Sequence, residues 1–435
     1  MTDNSTYKLP SKRLRWSWFP SLLFGDGMLL SVFVLTMLML RRYGVNMAQT
    51  TLYLALLCLP IVLRPLLETA VTYFHDTTKV WVLSAEFISA LSIWAIAFTL
   101  PTGYWLQGVL CFMPFVVTAG VFYNIATQRF YLDTIETNPR QHYWALLFRC
   151  FAALFGIGTL PMLAGNMEVV TRNVRYSWSL VFYIMAGVEF FLWLWHSIFL
   201  PGGKRPWAEE KDLFGLHPRE LKAAVKATLQ GWRNHFMLLF GIIFILPEVF
   251  LSIVLPLFIV DAPHNGGLGL APQEFGLAFG TIAVIAMAAG ITIASKAMRR
   301  LGTRYCVLPM ALTLCCHGIA TLYLSSNTSA SLALVCTALF GGYFSFGIGL
   351  TAYSSVMRQF EFTDKGSSLR HSLTLALIAL TVMAVNLFTG LLQKNIGYRQ
   401  FFSLTVAMYA LTILIAAVYT ILSSRMHNPF KNDGE

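Results

Sequence analysis

"FPSLLFGDGMLLSVFVLTMLML", residues 19–40, is an apolar run with a single carboxylate, Asp26, near its middle. From Trp16 to Leu40 no other side chain carries charge, and Arg15 and Arg41 bracket the run. A bilayer core of about 30 Å is crossed by roughly 20 apolar residues in helical form. The stretch therefore has the length and character of a membrane span. An acid inside such a span costs about 2.5–3.5 kcal/mol on insertion scales and is expected to have a function.

The rest of the chain agrees with that reading. Hydrophobic residues make up 57% of the 435 and charged residues 12%, where a soluble domain has roughly 25% charged. No soluble core hides that much apolar surface, so an integral membrane protein is expected. Seven cysteines, at 58, 111, 150, 306, 315, 316 and 336, fall in or beside apolar runs without zinc-like spacing, which argues against disulfides and metal sites. The basic residues before the first run are reminiscent of a signal peptide. The run is too long for one and no small-residue cleavage site follows, so a retained first span is expected.

Twelve spans can be drawn, at about 17–40, 47–74, 79–101, 103–128, 142–166, 177–200, 233–260, 272–296, 304–325, 329–357, 368–392 and 398–423. They divide into a six-helix unit, 1–200, and a second, 233–435. Between them lies a polar linker, 201–232, in which residues 217–230 read as a short surface helix. Of 31 Lys and Arg, six (Arg41, Arg42, Arg172, Arg175, Lys394, Arg399) fall in the loops of one side and two (Arg64, Arg149) within spans. The other 23 lie on the side of both termini, which the positive-inside rule makes cytoplasmic. That asymmetry also accounts for the net charge of +11 without a nucleic-acid partner.

The halves echo each other. Asp26 is followed 23 residues later by Gln49, and Glu248 is followed 25 residues later by Gln273. Both acids are central in the first helix of their half. The expected fold is thus all-α, with twelve transmembrane helices in two pseudo-symmetric bundles and a site at the midplane between them.

Asp26, Glu248 and Glu189 fall about 12–15 Å from the cytoplasmic surface, and Glu86 and Arg149 about 10 Å, at 1.5 Å per residue. Burial favours the neutral form of a carboxyl group, so Asp26 and Glu248 read as proton-coupling or substrate-binding acids across one cavity. The competing reading is a neutral, hydrogen-bonded helix contact. Glu189 is a further candidate. Arg149 has two readings, an anion-binding site or the neutraliser of an acid. Arg64 and Glu68, four apart on one helical face, read as a structural pair, and Glu86 as structural or gate-related. Tyr123, Asn124, Gln128, Tyr343 and Tyr353 are polar enough to line a cavity. His196, His317 and His371 read as packed or interfacial. Gly25, Gly27 and Pro247 beside the acids point to locally loosened helices. The chain contains no nucleotide-binding GxxxxGK[ST] and no HExxH or GxSxG, so gradient-driven transport outranks a pump or an enzyme, and no cofactor is expected.

The stretches WSWFPSLLFGDG (16–27), LPIVLRPL (59–66), WHSIFLPG (195–202), the block 246–281 and GLLQKNIGYRQFF (390–402) resemble the major facilitator superfamily. Within it the chain resembles the AmpG-type muropeptide permeases and their acetyl-CoA transporter relatives, in the Bacteroidetes-like branch. The resemblance implies a proton-driven importer of muropeptides in the bacterial inner membrane. It also implies alternating access and a monomeric protein. The helix-1 acid of the motif falls on Asp26, in place of the Glu usual there, and the helix-7 acid on Glu248. Thr72 stands where an acid is typical, and TYFHDTTKVW (72–81) departs from the gating signature. Gly290, Arg299, Arg300 and Gly302 retain part of it in the second half. Competing readings are another amphiphilic cargo (a siderophore, an acyl-CoA-like molecule or a sugar conjugate), an exporter, a multi-span enzyme, and a membrane scaffold or sensor.

Overall fold

In lipid, backbone N–H and C=O groups find no water. A long apolar segment must satisfy them within itself as a helix. The computed structural model obeys this. It describes residues 12–73, 78–134, 139–201, 222, 225–226, 228–361 and 367–426, and among these there is no strand. The linker helix expected over 217–230 and the 74–77 part of the degraded signature lie largely outside the described residues.

Among the described residues, eleven helices are long and apolar enough to cross a membrane: α1 Trp18–Arg42, α2 Met47–Val71, α3 Thr78–Thr99, α4 Trp105–Gln128, α5 Leu146–Thr171, α6 Val174–Phe199, α7 Trp232–Val260, α8 Pro272–Leu301, α9 Thr303–Ser325, α10 Leu332–Glu361 and α11 Arg370–Ser423. The last has 54 residues, about 80 Å at 1.5 Å each, far more than one crossing. Gly397 within it has φ 77° and ψ 167°, a left-handed conformation that only glycine adopts readily. Two limbs therefore meet where the sequence placed a break between 392 and 398. Large apolar side chains such as Phe98, Ile198, Phe388 and Ile421 stand exposed on the outer flanks. That is the surface expected to face lipid.

Within the first half, α1 packs on α5 and α6, and α3 on α4 and α6. Within the second, α7 and α9 pack on α11, and α8 and α9 on α10. The halves meet along two lines, α2 against the first limb of α11 and α5 against α8. Exchanging the halves converts one line into the other.

All three of α2, α5 and α8 are irregular. α2, expected as one helix, is three segments, Met47–Leu56, Leu59–Val62 and Arg64–Tyr73. Pro60 and Pro65 account for the breaks, because each lacks an N–H and clashes with the carbonyl four residues back. In α5 and α8 the i→i+5 pattern replaces the α pattern over Leu154–Thr159 and Gly276–Ile282, an arrangement often found at functional places. The two π segments lie against each other. A Cβ on Gly276 would lie 2.5 Å from the Gly158 carbonyl oxygen, and one on Gly280 would overlap the backbone of Ile157 and Gly158. Glycine is required here by close approach.

Candidate functional site

Asp26 is the anchor of the site. Its side chain is only 2% exposed, and both oxygens have partners. Arg149 Nε of α5 donates to Oδ2 at 2.6 Å, and Nη2 also contacts Oδ2. Asn124 Nδ2 of α4 donates to Oδ1. Charge-assisted bonds of this kind are among the strong ones. They give Arg149 the acid partner named in the second of its two sequence readings. Its side chain nevertheless remains 39% exposed, so the guanidinium has one face on Asp26 and another open.

The flanking glycines serve approach rather than loosening. The helix Lys12–Arg42 runs unbroken through Gly25 and Gly27. A Cβ on Gly25 would overlap the Tyr123 hydroxyl, and one on Gly27 would lie 2.7 Å from Ala152 Cβ. α7 likewise continues through Pro247.

From Asn124 the network continues to the other half. Arg64 Nη1 donates to Asn124 Oδ1 at 2.5 Å, Nη2 to Gln128 Oε1 at 2.9 Å and Nε to Ser372 Oγ of α11 at 3.0 Å. Ser372 in turn donates to Glu68. Arg64 and Glu68 thus share a serine of the opposite half, which makes them more than the local helix pair expected. Arg64 is 3% and Glu68 4% exposed, burial that charges tolerate only when paired and hydrogen-bonded.

Beside Asp26 lies a small cavity lined by Gly25, Glu86, Ser89, Tyr123 and Glu189 among others. Glu86 and His196 meet at 2.5 Å, and the other ring nitrogen of His196 lies 2.9 Å from Ser21 Oγ. Tyr123 donates its hydroxyl to the Leu22 carbonyl at 2.9 Å.

Glu248 is held differently. Tyr409 O–H donates to Oε1 at 2.6 Å, and His317 Nδ1 lies 2.8 Å from Oε2. Tyr343 packs edge-on against that imidazole, with ring centres 4.8 Å apart. These partners come from α9, α10 and the second limb of α11. Glu248 is therefore anchored by partners of its own half. Tyr353 is buried and donates to the Gly241 carbonyl at 3.2 Å. Gly290 is a helix-crossing glycine against the Phe344 carbonyl of α10, while Arg299 and Arg300 stand exposed at the end of α8.

Three features were missed in sequence. Asp261 at the end of α7 accepts from Arg41 Nη2 at 2.6 Å and from the Tyr398 hydroxyl at 2.8 Å, tying the halves together at the α1–α2 end. Ser372 is an ordinary hydroxyl with no pattern to mark it. His196, His317 and His371, taken as packed or interfacial, each touch an acid: Glu86, Glu248 and Glu361. Their position in apolar segments was the available signal, because ionisable groups there are rare.

Comparisons with known proteins bear on the fold. Neither protein-family profiles nor curated proteins give a match. Among solved structures, the crystal structure of nucleoside transporter NupG matches with 13% identity and a TM-score of 0.59, covering 94% of this chain and 98% of that one. A point mutant of the same transporter matches with 12% identity, TM-score 0.60 and the same coverage. At this identity the likeness bears on the fold alone: the chain shares the overall all-helical fold of that transporter.

Proposed function

We propose that this chain is a secondary transporter that works by alternating access, with Asp26 as its coupling acid. One observation carries the reading. The buried Asp26–Arg149 pair is linked through Asn124, Arg64 and Ser372 to the other half. Protonating Asp26 removes the anion that holds Arg149, so a local charge change bears on the contact between halves. The transporter-like fold supports the same reading.

In this proposal the chain crosses the membrane twelve times, α11 passing twice about Gly397. Units 1–200 and 233–435 rock about the linker, and both termini are cytoplasmic. Arg41 and Asp261 then close the far side. Glu248 is the coupling acid of the second half, held in place by His317 and Tyr409. The partners are protons, a small-molecule substrate and the bilayer, and the protein works as a monomer in a bacterial inner membrane.

The cargo we propose is a muropeptide-like, cell-wall-derived solute moving inward, on the resemblance of the residues quoted above. Siderophores, acyl-CoA-like molecules and sugar conjugates, or outward movement, are the alternatives. The test is uptake into proteoliposomes under an imposed pH gradient, with labelled muropeptides, siderophores, CoA esters and nucleosides as the panel. Accumulation of muropeptides that collapses with the gradient is expected. Accumulation of another member alone replaces the cargo, and accumulation of none removes the transport reading.

A further inference from the structure

The first half contains a second group of buried ionisable side chains that the Asp26–Arg149 pair does not use. Glu86 of α3 is 2% exposed, His196 of α6 0% and Glu189 of α6 6%. Glu86 and Glu189 line the same small cavity as Asp26. The cavity's titratable walls are Asp26 from α1, already paired with Arg149, Glu86 from α3, Tyr123 from α4 and Glu189 from α6. Lys79, farther along α3, donates to the Ser197 carbonyl at 2.7 Å. Among the described residues no Lys or Arg lines the cavity.

Ser21 Oγ lies 2.9 Å from both the Trp18 carbonyl oxygen and His196 Nε2, and its one hydroxyl hydrogen can serve either. His196 Nδ1 lies 2.5 Å from Glu86 Oε1, and an unprotonated nitrogen and a carboxylate oxygen repel, so a hydrogen lies between them. The other carboxyl oxygen of Glu86, Oε2, is buried and has no hydrogen-bond partner among the described residues, and it belongs to a residue lining the cavity. Glu189 opens onto that cavity, where a second negative charge beside Glu86 is disfavoured by like-charge repulsion and by burial together.

We propose that Glu86, His196 and Glu189 form a proton-binding site in the first half, separate from the Asp26–Arg149 pair. The Glu86–His196 contact shares one proton and the Glu189 carboxyl holds another, with the cavity as the space between them and Asp26. The inference does not need the chain to be a transporter, and its test uses protons alone.

The test is infrared spectroscopy of the purified full-length protein in lipid, titrated with pH and compared in light and heavy water. A protonated carboxyl has a C=O stretch well separated from the bands of a carboxylate. At neutral pH the wild-type protein is expected to show this stretch. Glu189→Gln should remove it, and Glu86→Gln should shift the pH at which it titrates. Asp26→Asn and Glu248→Gln should leave it in place. If Glu189→Gln fails to fold, Glu189→Asp keeps the carboxyl in a changed setting, and the band should move. Absence of the stretch at neutral pH overturns the proposal. So does a stretch that survives unchanged in Glu189→Gln or, in its place, Glu189→Asp, or one removed by Asp26→Asn.

Discussion

Asp26 is gripped by a guanidinium and an amide, whereas Glu248 is held by an imidazole and a phenol. The two acids occupy corresponding places, each central in the first helix of its half, yet their settings differ in charge and in reach. Asp26 faces a permanent cation, and its network reaches a serine of the other half. Glu248 faces groups that are neutral or adjustable, all within its own half. An acid beside a fixed cation behaves as a latch, because losing its charge strands the partner. An acid beside a histidine and a tyrosine has no partner of fixed charge to strand. Corresponding positions in a two-fold fold thus need not do the same work.

The difference can be broken by substitution, ranked here by expected loss of stability. Asp26→Asn should have the largest effect. Removing one partner of a buried pair costs about 3–5 kcal/mol, reduced to roughly 2–3 kcal/mol because Arg149 is partly exposed and screened. A lowered thermal midpoint in detergent, substantially restored in Asp26→Asn with Arg149→Gln, is the expected result. A single variant as stable as wild type removes the latch.

Gly280→Val comes next. Overpacking a close crossing costs about 1–3 kcal/mol, and here it falls on the α5–α8 line between halves. The same change at Gly187, where a Cβ would meet nothing within 4 Å, should be nearly silent. Equal thermal midpoints for the two variants would contradict the close approach.

Asp261→Asn should cost about 1 kcal/mol, the scale of a partly exposed ion pair, and should open the α1–α2 end. Higher reactivity of a cysteine introduced at Tyr43 toward an impermeant reagent measures it. Arg41→Asp combined with Asp261→Arg is expected to restore protection.

Glu248→Gln should be the mildest for folding, under about 1 kcal/mol, since an amide still serves Tyr409 and His317 as a hydrogen-bond partner. A cost as large as that of Asp26→Asn would erase the distinction drawn between the halves.

Much of the fold was legible because lipid imposes one rule, long apolar helices, and that rule is written locally. The long apolar helices and the break near Gly397 follow from counting along the chain. The breaks in α2 were also in view, as Pro60 and Pro65. Contacts between distant segments were not. Glu86 and His196 are separated by 110 positions, and Asp261 and Arg41 by 220. No periodicity joins such residues. The glycines of LFGIGT (154–159) and GLAFGTI (276–282) carried the α5–α8 crossing in plain sight, but only the packing reveals that they face each other.

The central claim is that Asp26 couples a proton to movement of the halves. Gradient-driven accumulation in proteoliposomes, measured beside exchange of the same panel solute without a gradient, tests it most directly. Asp26→Asn is predicted to lose accumulation while retaining exchange. Undiminished accumulation by Asp26→Asn under an imposed pH gradient would contradict the account.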